Sequence, residues 1–556
     1  MTALDWTVFF AYLLGIVWLG VRANRAGRSG AEGGQSADEF LLAGRGMPWW
    51  AIGLSVMATQ ASAITFIGTT GKAFTDGMGF AQFYLGLPVA MVILAYTLLP
   101  LYHRAKVTTA YEFLGQRFDG RVRLATALLF LASRGLALGV VIYAPSVVLS
   151  LLLGWDTVTT VASMTLVAVA YTMVGGLRAV IWTDVVQMVL IFGGLFLCVG
   201  TMVSGLPAGV TPRGLFDLAE ATGRTQLLDW SLDPGDRYTV WSGLLGGTFL
   251  FLAYFGCDQS QVQRLLAARS LKDGRRALAL NGIAKLPIQL FVLTLGVLLF
   301  GVLQFDDDQP ILFDARGGEA VIEAGLGAEW GDLQARHAAE VEARHLVALA
   351  PARAGWDMDV WQAREANVEA LRAEARELVA RAGVEDFDDT NHVFPWWVLH
   401  HLPVGVVGLL IAAIFAAAMS SIDSELNALA TTTAVDVWQR HVDEGADLVR
   451  VARGATLVWG ALAALFAVQA AALGSVIEAV NQVGSWFYGS LLGVFVLAVA
   501  FTRVDGRGAL FGLIAGMASV AIAGQAGLAW LWLNPIACIA CVLVGLVTPR
   551  STRPTP

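Results

Sequence analysis

Residues 57–71 read Met-Ala-Thr-Gln-Ala-Ser-Ala-Ile-Thr-Phe-Ile-Gly-Thr-Thr-Gly, inside a hydrophobic stretch, 49–71, of membrane-spanning length. A span is ordinarily built of Leu, Ile, Val and Phe. Here Thr59, Gln60, Ser62, Thr65, Gly68, Thr69, Thr70 and Gly71 crowd the middle. Each unsatisfied backbone group costs several kcal/mol in hydrocarbon, so a loosened helix survives at that depth only where it lines a cavity. Loosened backbone aims bare carbonyls at a cation and bare N–H groups at an anionic ligand. The stretch is therefore a candidate ion and substrate site.

The rest of the chain supplies the setting. Its 556 residues are 56% hydrophobic and 14% charged, which excludes a soluble globular protein and points to an all-α polytopic membrane protein. Thirteen stretches reach spanning length: 5–21, 49–71, 78–102, 122–153, 158–174, 179–204, 241–263, 278–303, 394–433, 451–473, 476–501, 508–525 and 527–547. The first lacks a small-residue cleavage site and reads as a helix rather than a signal peptide. Arg and Lys collect in every second loop, for example Arg22 to Arg45, Arg104 to Arg123, Arg178, and Arg264 to Arg276. Such alternation orients the N-terminus outside and the C-terminus in the cytoplasm, in a plasma (inner) membrane. Cys198, Cys257, Cys538 and Cys541 fall in apolar segments and read as inert packing residues.

Setting aside the first span and the last two leaves ten, which divide into five plus five. The second five open at 241–263, which carries Gly243, Gly246, Gly247, Thr248, Gly256, Asp258, Gln259 and Ser260. Five is odd, so the halves have opposite topology, and Gly-rich interruptions at matching positions of inverted halves mark a secondary transporter's centre. The expected organisation is an extra helix and linker (1–48), a first repeat (49–204), an outer loop (205–240), helices six and seven (241–304), an insert (305–392), helices eight to ten (393–501) and two final helices (502–556). The insert carries 20 Asp/Glu and 8 Arg, a charge of −12, while the remainder is +4. Two amphipathic helices are expected in it, around 328–350 and 357–382, as a passive outer insertion or an outer lid.

Further residues carry chemistry. Ser420 and Ser421, in Ala416-Ala417-Ala418-Met419-Ser420-Ser421-Ile422-Asp423-Ser424, place two neutral hydroxyls side by side. With carbonyls from the loosened 58–61 backbone they approach the five or six oxygens that sodium, a hard cation, takes. No second buried carboxylate is evident beside them, which favours sodium over a proton as coupling ion. Asp184 lies just inside the cytoplasmic end of its span, and an intramembrane carboxylate defaults to function. Lys285, two turns into 278–303, should pair with a carboxylate, reach substrate oxygens, or snorkel to the inner surface. Asn481 and Gln482 open the last core helix with amides suited to polar ligands. No nucleophile–base pair, transition-metal spacing or phosphate loop is present, so neither an enzyme, a cofactor nor a nucleic-acid partner is expected.

These residues, in this order, resemble the sodium/solute symporter family. The likeness rests on Asp38-Glu39-Phe40-Leu41-Leu42-Ala43-Gly44-Arg45, Ser62-Ala63-Ile64-Thr65-Phe66-Ile67-Gly68, Gly175-Gly176-Leu177-Arg178-Ala179-Val180-Ile181-Trp182-Thr183-Asp184, Asp258-Gln259-Ser260-Gln261-Val262-Gln263-Arg264 and Ser420-Ser421-Ile422-Asp423-Ser424. It covers about 38–304 and 393–501. The resemblance implies the five-plus-five inverted-repeat, LeuT-like fold with about thirteen transmembrane helices. It implies a sodium site of the Ala58, Ala61 and Ala417 carbonyls with the Ser420 and Ser421 hydroxyls. Asp184 matches the aspartate on the sodium exit route, and a second sodium there would involve Asp184, Ser421 and Ser424. Tyr254 matches a tyrosine that gates substrate from inside.

The substrate positions depart from the sugar carriers: Thr65 and Tyr84 replace Gln and Glu, Phe251 replaces Asn, Asn481 replaces Gln, and Lys285 is retained. The expected substrate set is Gln60, Thr65, Phe83, Tyr84, Tyr254, Phe255, Lys285 and Asn481. The reading is a monomeric, sodium-coupled symporter of a small organic solute or anion, monocarboxylate-, vitamin- or sugar-like, working by alternating access. A proton-coupled carrier, a channel and a sensor of the same fold are the alternatives.

Overall fold

The computed structural model describes residues 2–27, 36–60, 63–349, 357–385, 387–469 and 476–549. Among them the regular elements are helices, joined by one isolated bridge between Met47 and Ala268. Nine helices are long and apolar enough to cross a membrane, or ten with the bent pair Trp49–Gln60 and Thr65–Asp76, and Ser242–Gly256 and Gly484–Ala500 are shorter apolar helices. One of the nine is the 48-residue Thr157–Ser204, which takes in two expected spans; with its halves counted separately, all thirteen stretches find a place.

The opening stretch forms the broken helix. Trp49–Gln60 and Thr65–Asp76 meet at 56°. The Thr65 hydroxyl donates to the Gln60 carbonyl across the break (3.1 Å), so a side chain takes over a bond the ladder has lost. The second break falls where Asp258 replaces the helix with a cap. Gly247–Gly256 stops, and Gln259–Leu266 restarts with Asp258 accepting from the Ser260 N–H (2.9 Å) and hydroxyl (2.7 Å). The freed carbonyls of Gly256 and Cys257 accept from Tyr102 (2.6 Å) and Tyr111 (3.1 Å). Residues 241–263 are thus two helices rather than one span.

Two other expectations change. The two expected spans 158–174 and 179–204 are two helices that meet without an intervening loop, at a kink where Gly176 takes φ 57°, ψ −164°, a backbone only glycine adopts without strain. Arg178 therefore sits in the first turn past the kink rather than in a loop, donating to Glu39 (2.6 Å) and to the Ala43 carbonyl (3.0 Å). Residues 394–433 break before Pro403, giving Val393–His401 and the serine helix, Val406–Thr432. Asp5 of the first helix accepts from the N–H groups of Gly405 (2.7 Å) and Gly408 (3.0 Å) at that restart.

The insert holds three helices, Ala315–Glu323, Gly327–Leu349 and Met358–Arg381; the first was too short and glycine-rich to read from its pattern. Ile311, Leu312, Val321, Trp330, Leu333, Leu371 and Leu378 give it a small core of its own. Arg344 ties it to the membrane body, donating to Glu365 (2.7 Å) inside the insert and to the Leu303 carbonyl (3.3 Å) at the end of the lysine helix, Leu271–Leu303. Residues 350–356, between the two longer helices, lie outside the described residues.

Candidate functional site

The serine helix is buried along its length and lies against the first half of the broken helix. Small residues at 416–418 allow that approach. The Ser420 hydroxyl donates to the carbonyls of Ala58 (3.2 Å) and Ala417 (2.9 Å), and the Ser421 hydroxyl to those of Thr59 (3.1 Å) and, at 3.5 Å, Ala417. Five neutral oxygens from two helices thus converge beside the break. Four of the five expected ligands, Ala58, Ala417, Ser420 and Ser421, are together; Ala61 lies outside the described residues, and the Thr59 carbonyl joins the group.

Below this group lies a buried polar network. Asp184 accepts from the Ser55 hydroxyl (2.5 Å) and faces the Arg264 guanidinium at 3.5 Å. Arg264 also donates to Ser55 (2.8 Å) and to the Ser424 hydroxyl, so a cation of the protein's own stands between Asp184 and Ser424. Ser424 contacts Thr59 (3.0 Å) and donates to Asp423 (3.1 Å), which accepts from Tyr171 (2.5 Å). Two expectations are corrected here. Arg264, counted among the loop bases, is 1% exposed, because the restart at Asp258 carries it into the core. The serine pair also does have a carboxylate close by: Asp423, three residues from Ser420, is fully buried. It was visible in the sequence, but its orientation depended on the helix packing.

A second ionic cluster joins three helices. Arg134 donates to Asp258 (2.5 Å) and Glu425 (2.9 Å) and lies over the rings of Tyr254 (5.1 Å) and Tyr488 (5.4 Å). The Tyr254 hydroxyl accepts from Gln261 (2.9 Å). Sequence reasoning passed over Arg134, although a charge in the middle of 122–153 was a signal of the kind that singled out Asp184.

From Tyr254 an aromatic run leads on. Tyr254 meets Phe255 (ring centroids 5.0 Å), Phe255 meets Phe251 (6.2 Å), and Phe251 meets Phe83 (5.1 Å) and Tyr84 (5.9 Å). The Lys285 ammonium lies over Tyr84 at 5.3 Å. Five members of the expected substrate set, Phe83, Tyr84, Tyr254, Phe255 and Lys285, therefore belong to one connected wall, with Phe251 as the added member. Gln60 and Thr65 flank the break, and the Asn481 side chain lies outside the described residues.

Lys285 neither snorkels nor pairs with a carboxylate. It is 1% exposed, and its ammonium has no hydrogen-bond partner among the described residues. Gln289, one turn on, is unpartnered at both amide atoms among the described residues, as are the side-chain amide oxygen of Gln60 and the Thr69 hydroxyl. Asn281, on the same face of the lysine helix, donates to the Gly53 carbonyl (3.3 Å), so this face runs along the broken helix. A buried ammonium without a partner is a costly arrangement that a ligand's negative charge would relieve.

A family model described as "Sodium:solute symporter family" matches residues 40–310 and 373–516, passing over most of the insert. The human sodium/iodide cotransporter is 29% identical over 93% of this chain and 69% of its own length. Sodium-coupled monocarboxylate transporter 2 of Bos taurus is 26% identical over 87% of this chain and 66% of its own, and the sodium-dependent multivitamin transporter of Oryctolagus cuniculus 28% over 87% and 65%. The chain thus spans about two thirds of the length of these curated relatives. The solved structure of a Na+-coupled sialic acid symporter in a substrate-bound outward-open state superposes with a TM-score of 0.74 at 24% identity, covering 98% of this chain and 97% of that one. The fold is the five-plus-five, LeuT-like one.

Proposed function

The chain belongs to the sodium:solute symporter family, and from that premise we propose that it imports a small monovalent organic or inorganic anion together with sodium, by alternating access. The observation that carries the reading is the convergence of the Ser420 and Ser421 hydroxyls on the Ala58, Thr59 and Ala417 carbonyls at the break. Neutral oxygens hold sodium without trapping it, so the ion can leave again. Ala61 completes the proposed set. Asp184 and Ser424 line the exit route, where a second sodium would require Arg264 to move aside.

Substrate binds between the break and the aromatic wall, at Gln60, Thr65, Phe83, Tyr84, Tyr254, Phe255, Lys285 and Asn481. The unpartnered Lys285 ammonium favours an anion, as do relatives named for iodide and monocarboxylates. The N-terminus and the insert face outside and the C-terminus the cytoplasm, in line with the alternating loop charges. One charge moving through 100 mV releases about 2.3 kcal/mol, and a tenfold sodium gradient adds about 1.4 kcal/mol. A monovalent anion entering with one sodium gives the electrical part back, so that sodium alone supports about tenfold accumulation, and each further sodium adds about 3.7 kcal/mol, a further several hundredfold.

Uptake of radioiodide and of labelled propionate into proteoliposomes tests this. Uptake should require an inward sodium gradient and fall at least tenfold in the Ser420→Ala, Ser421→Ala double variant. Equal uptake with potassium in place of sodium would sink the reading. Proton coupling is the second reading, favoured by the buried Asp423 next to Ser424 and Tyr171; it predicts uptake driven by an inward pH gradient without sodium.

A further inference from the structure

A cavity of about 510 Å³ lies between the insert and the Gly68–Asp76 end of the broken helix. Five cationic side chains line it: Lys72 from the broken helix, Arg224 and Arg237 from the loop before the second repeat, and Arg372 and Arg376 from the insert. Three carboxylates line it too, and their engagements are known in part. Asp76 takes Lys72 at 2.8 Å, Glu369 takes Arg224 at 4.0 Å, and Asp388 accepts from the Thr390 N–H at 2.9 Å. Behind the wall, buried Asp389 accepts from Arg372 (3.3 Å) and faces Arg376 at 3.8 Å. The lining still holds more positive than negative charge.

Arg372 is the telling group. It is 2% exposed, its Nε and Nη1 have no hydrogen-bond partner among the described residues, and its guanidinium lies over Phe313 at 4.5 Å. Burial pulls its affinity for its proton down, only partly offset by Asp389. Glu369, Arg372 and Arg376 are spaced three and four apart, so they share one face of Met358–Arg381. An insert of net charge −12 thus turns arginines toward this cavity, while Glu374 pairs with Arg336 on an exposed face (3.1 Å). The cavity also reaches Gly68, one turn past Thr65 at the break.

We infer that this cavity is an anion-binding vestibule: a small monovalent halide or carboxylate binds between Arg372, Arg376 and Arg224, above the central site and independently of sodium. The assignment deepens the proposed function and rests on its reading of an anionic substrate. A concave site whose lining carries an excess of positive charge raises the local concentration of anions, and its volume is that of a small-ligand site. It also gives the insert a role beyond passive decoration.

Equilibrium binding of radioiodide to the purified full-length chain in detergent, measured in choline buffer and in sodium buffer, tests it. A sodium-independent bound fraction is expected, and it should persist in Ser420→Ala, Ser421→Ala. The double variant Arg372→Gln, Arg376→Gln should weaken it at least fivefold. Glu369→Gln, at a partly exposed side chain, should tighten it two- to threefold, a gain that misfolding cannot imitate. Competition by propionate identifies a carboxylate as the occupant, and competition by chloride alone a bulk halide; each fits a vestibule. Absence of sodium-independent binding in the unaltered chain, or Arg and Glu variants that both leave it unchanged, would overturn it. If only the sodium-dependent fraction is missing, the proposed symport fails and the vestibule stands.

Discussion

Lys285 shows how one side chain can set a substrate class. Among the described residues its ammonium has no hydrogen-bond partner and lies over the face of Tyr84, and a cation–π contact of that kind is worth about 2 kcal/mol when desolvated. That is well short of replacing a carboxylate or water. Lys285→Gln keeps much of the shape and removes the charge. The expected result is a rise in KM for an anionic substrate of at least tenfold, with the sodium dependence of uptake retained. An unchanged KM would move the anion elsewhere in the site. Asp184 poses the opposite case, since its partner is known. Asp184→Asn would leave Arg264 buried opposite a neutral group, and breaking a buried pair from one side costs about 3–5 kcal/mol. The expected outcome is a lower melting temperature in detergent and slower sodium release, seen as reduced turnover at saturating sodium. Single residues of this kind were partly legible. Asp184 and Lys285 stand out because a charge in a hydrophobic run is conspicuous, but Arg264 hid because a base just past an apolar stretch reads as a loop.

At the scale of elements, breaks decide more than lengths. The interruption at 57–71 was legible because polar and glycine residues displace the aliphatic ones that a continuous span needs. Its counterpart was legible as a region, yet the break falls at Cys257 and Asp258, fixed by a cap and two tyrosine hydroxyls from distant helices. The boundary between the stretches 158–174 and 179–204 is tighter than the expected loop: it is a kink at Gly176 between two helices. There the left-handed φ is coupled to packing, since a Cβ on Gly176 would meet Phe40. Gly176→Ala should cost about 1–3 kcal/mol from backbone strain alone, with a further penalty from that contact. Thermal unfolding followed by size-exclusion fluorescence should show a clear drop, while Gly193→Ala, where the same helix faces open space, should show little change. Equal behaviour of the two variants would mean the kink is not constrained.

Across the whole molecule, the ionic networks were the least legible part. Arg134, Asp258 and Glu425 come from three elements far apart in sequence, and no local period brings them together. The insert is the other whole-molecule feature, because its stability is set apart from that of the membrane body by its own core and by groups that titrate. His337 packs inside it with an unpartnered Nε2, and burial, then the nearby Arg372 and Arg344, push its pKa from 6.5 down to about 3. In the unfolded insert the same imidazole titrates at its ordinary value. Between those two values the unfolded state binds a proton that the folded state refuses, so stability falls as pH falls, by up to about 1.4 kcal/mol per pH unit. Asp314 acts at lower pH: although burial raises it, hydrogen bonding from Arg316 and the charge of His392 hold it below its ordinary value of 3.8, so its contribution is intact across this window and is lost only in stronger acid. The insert should therefore loosen selectively on acidification from pH 6.5 to 5.0. Hydrogen exchange, corrected for the intrinsic rate, should lose protection in Gly327–Leu349 and Met358–Arg381 before the serine helix changes. His337→Gln should flatten that dependence, and because Arg372 and Arg376 sit on Met358–Arg381, iodide binding at the vestibule should weaken over the same pH window in the unaltered chain and less in the variant. Protection that holds to pH 5.0, or a fall shared equally by the serine helix, would show that the insert does not unfold as a unit of its own.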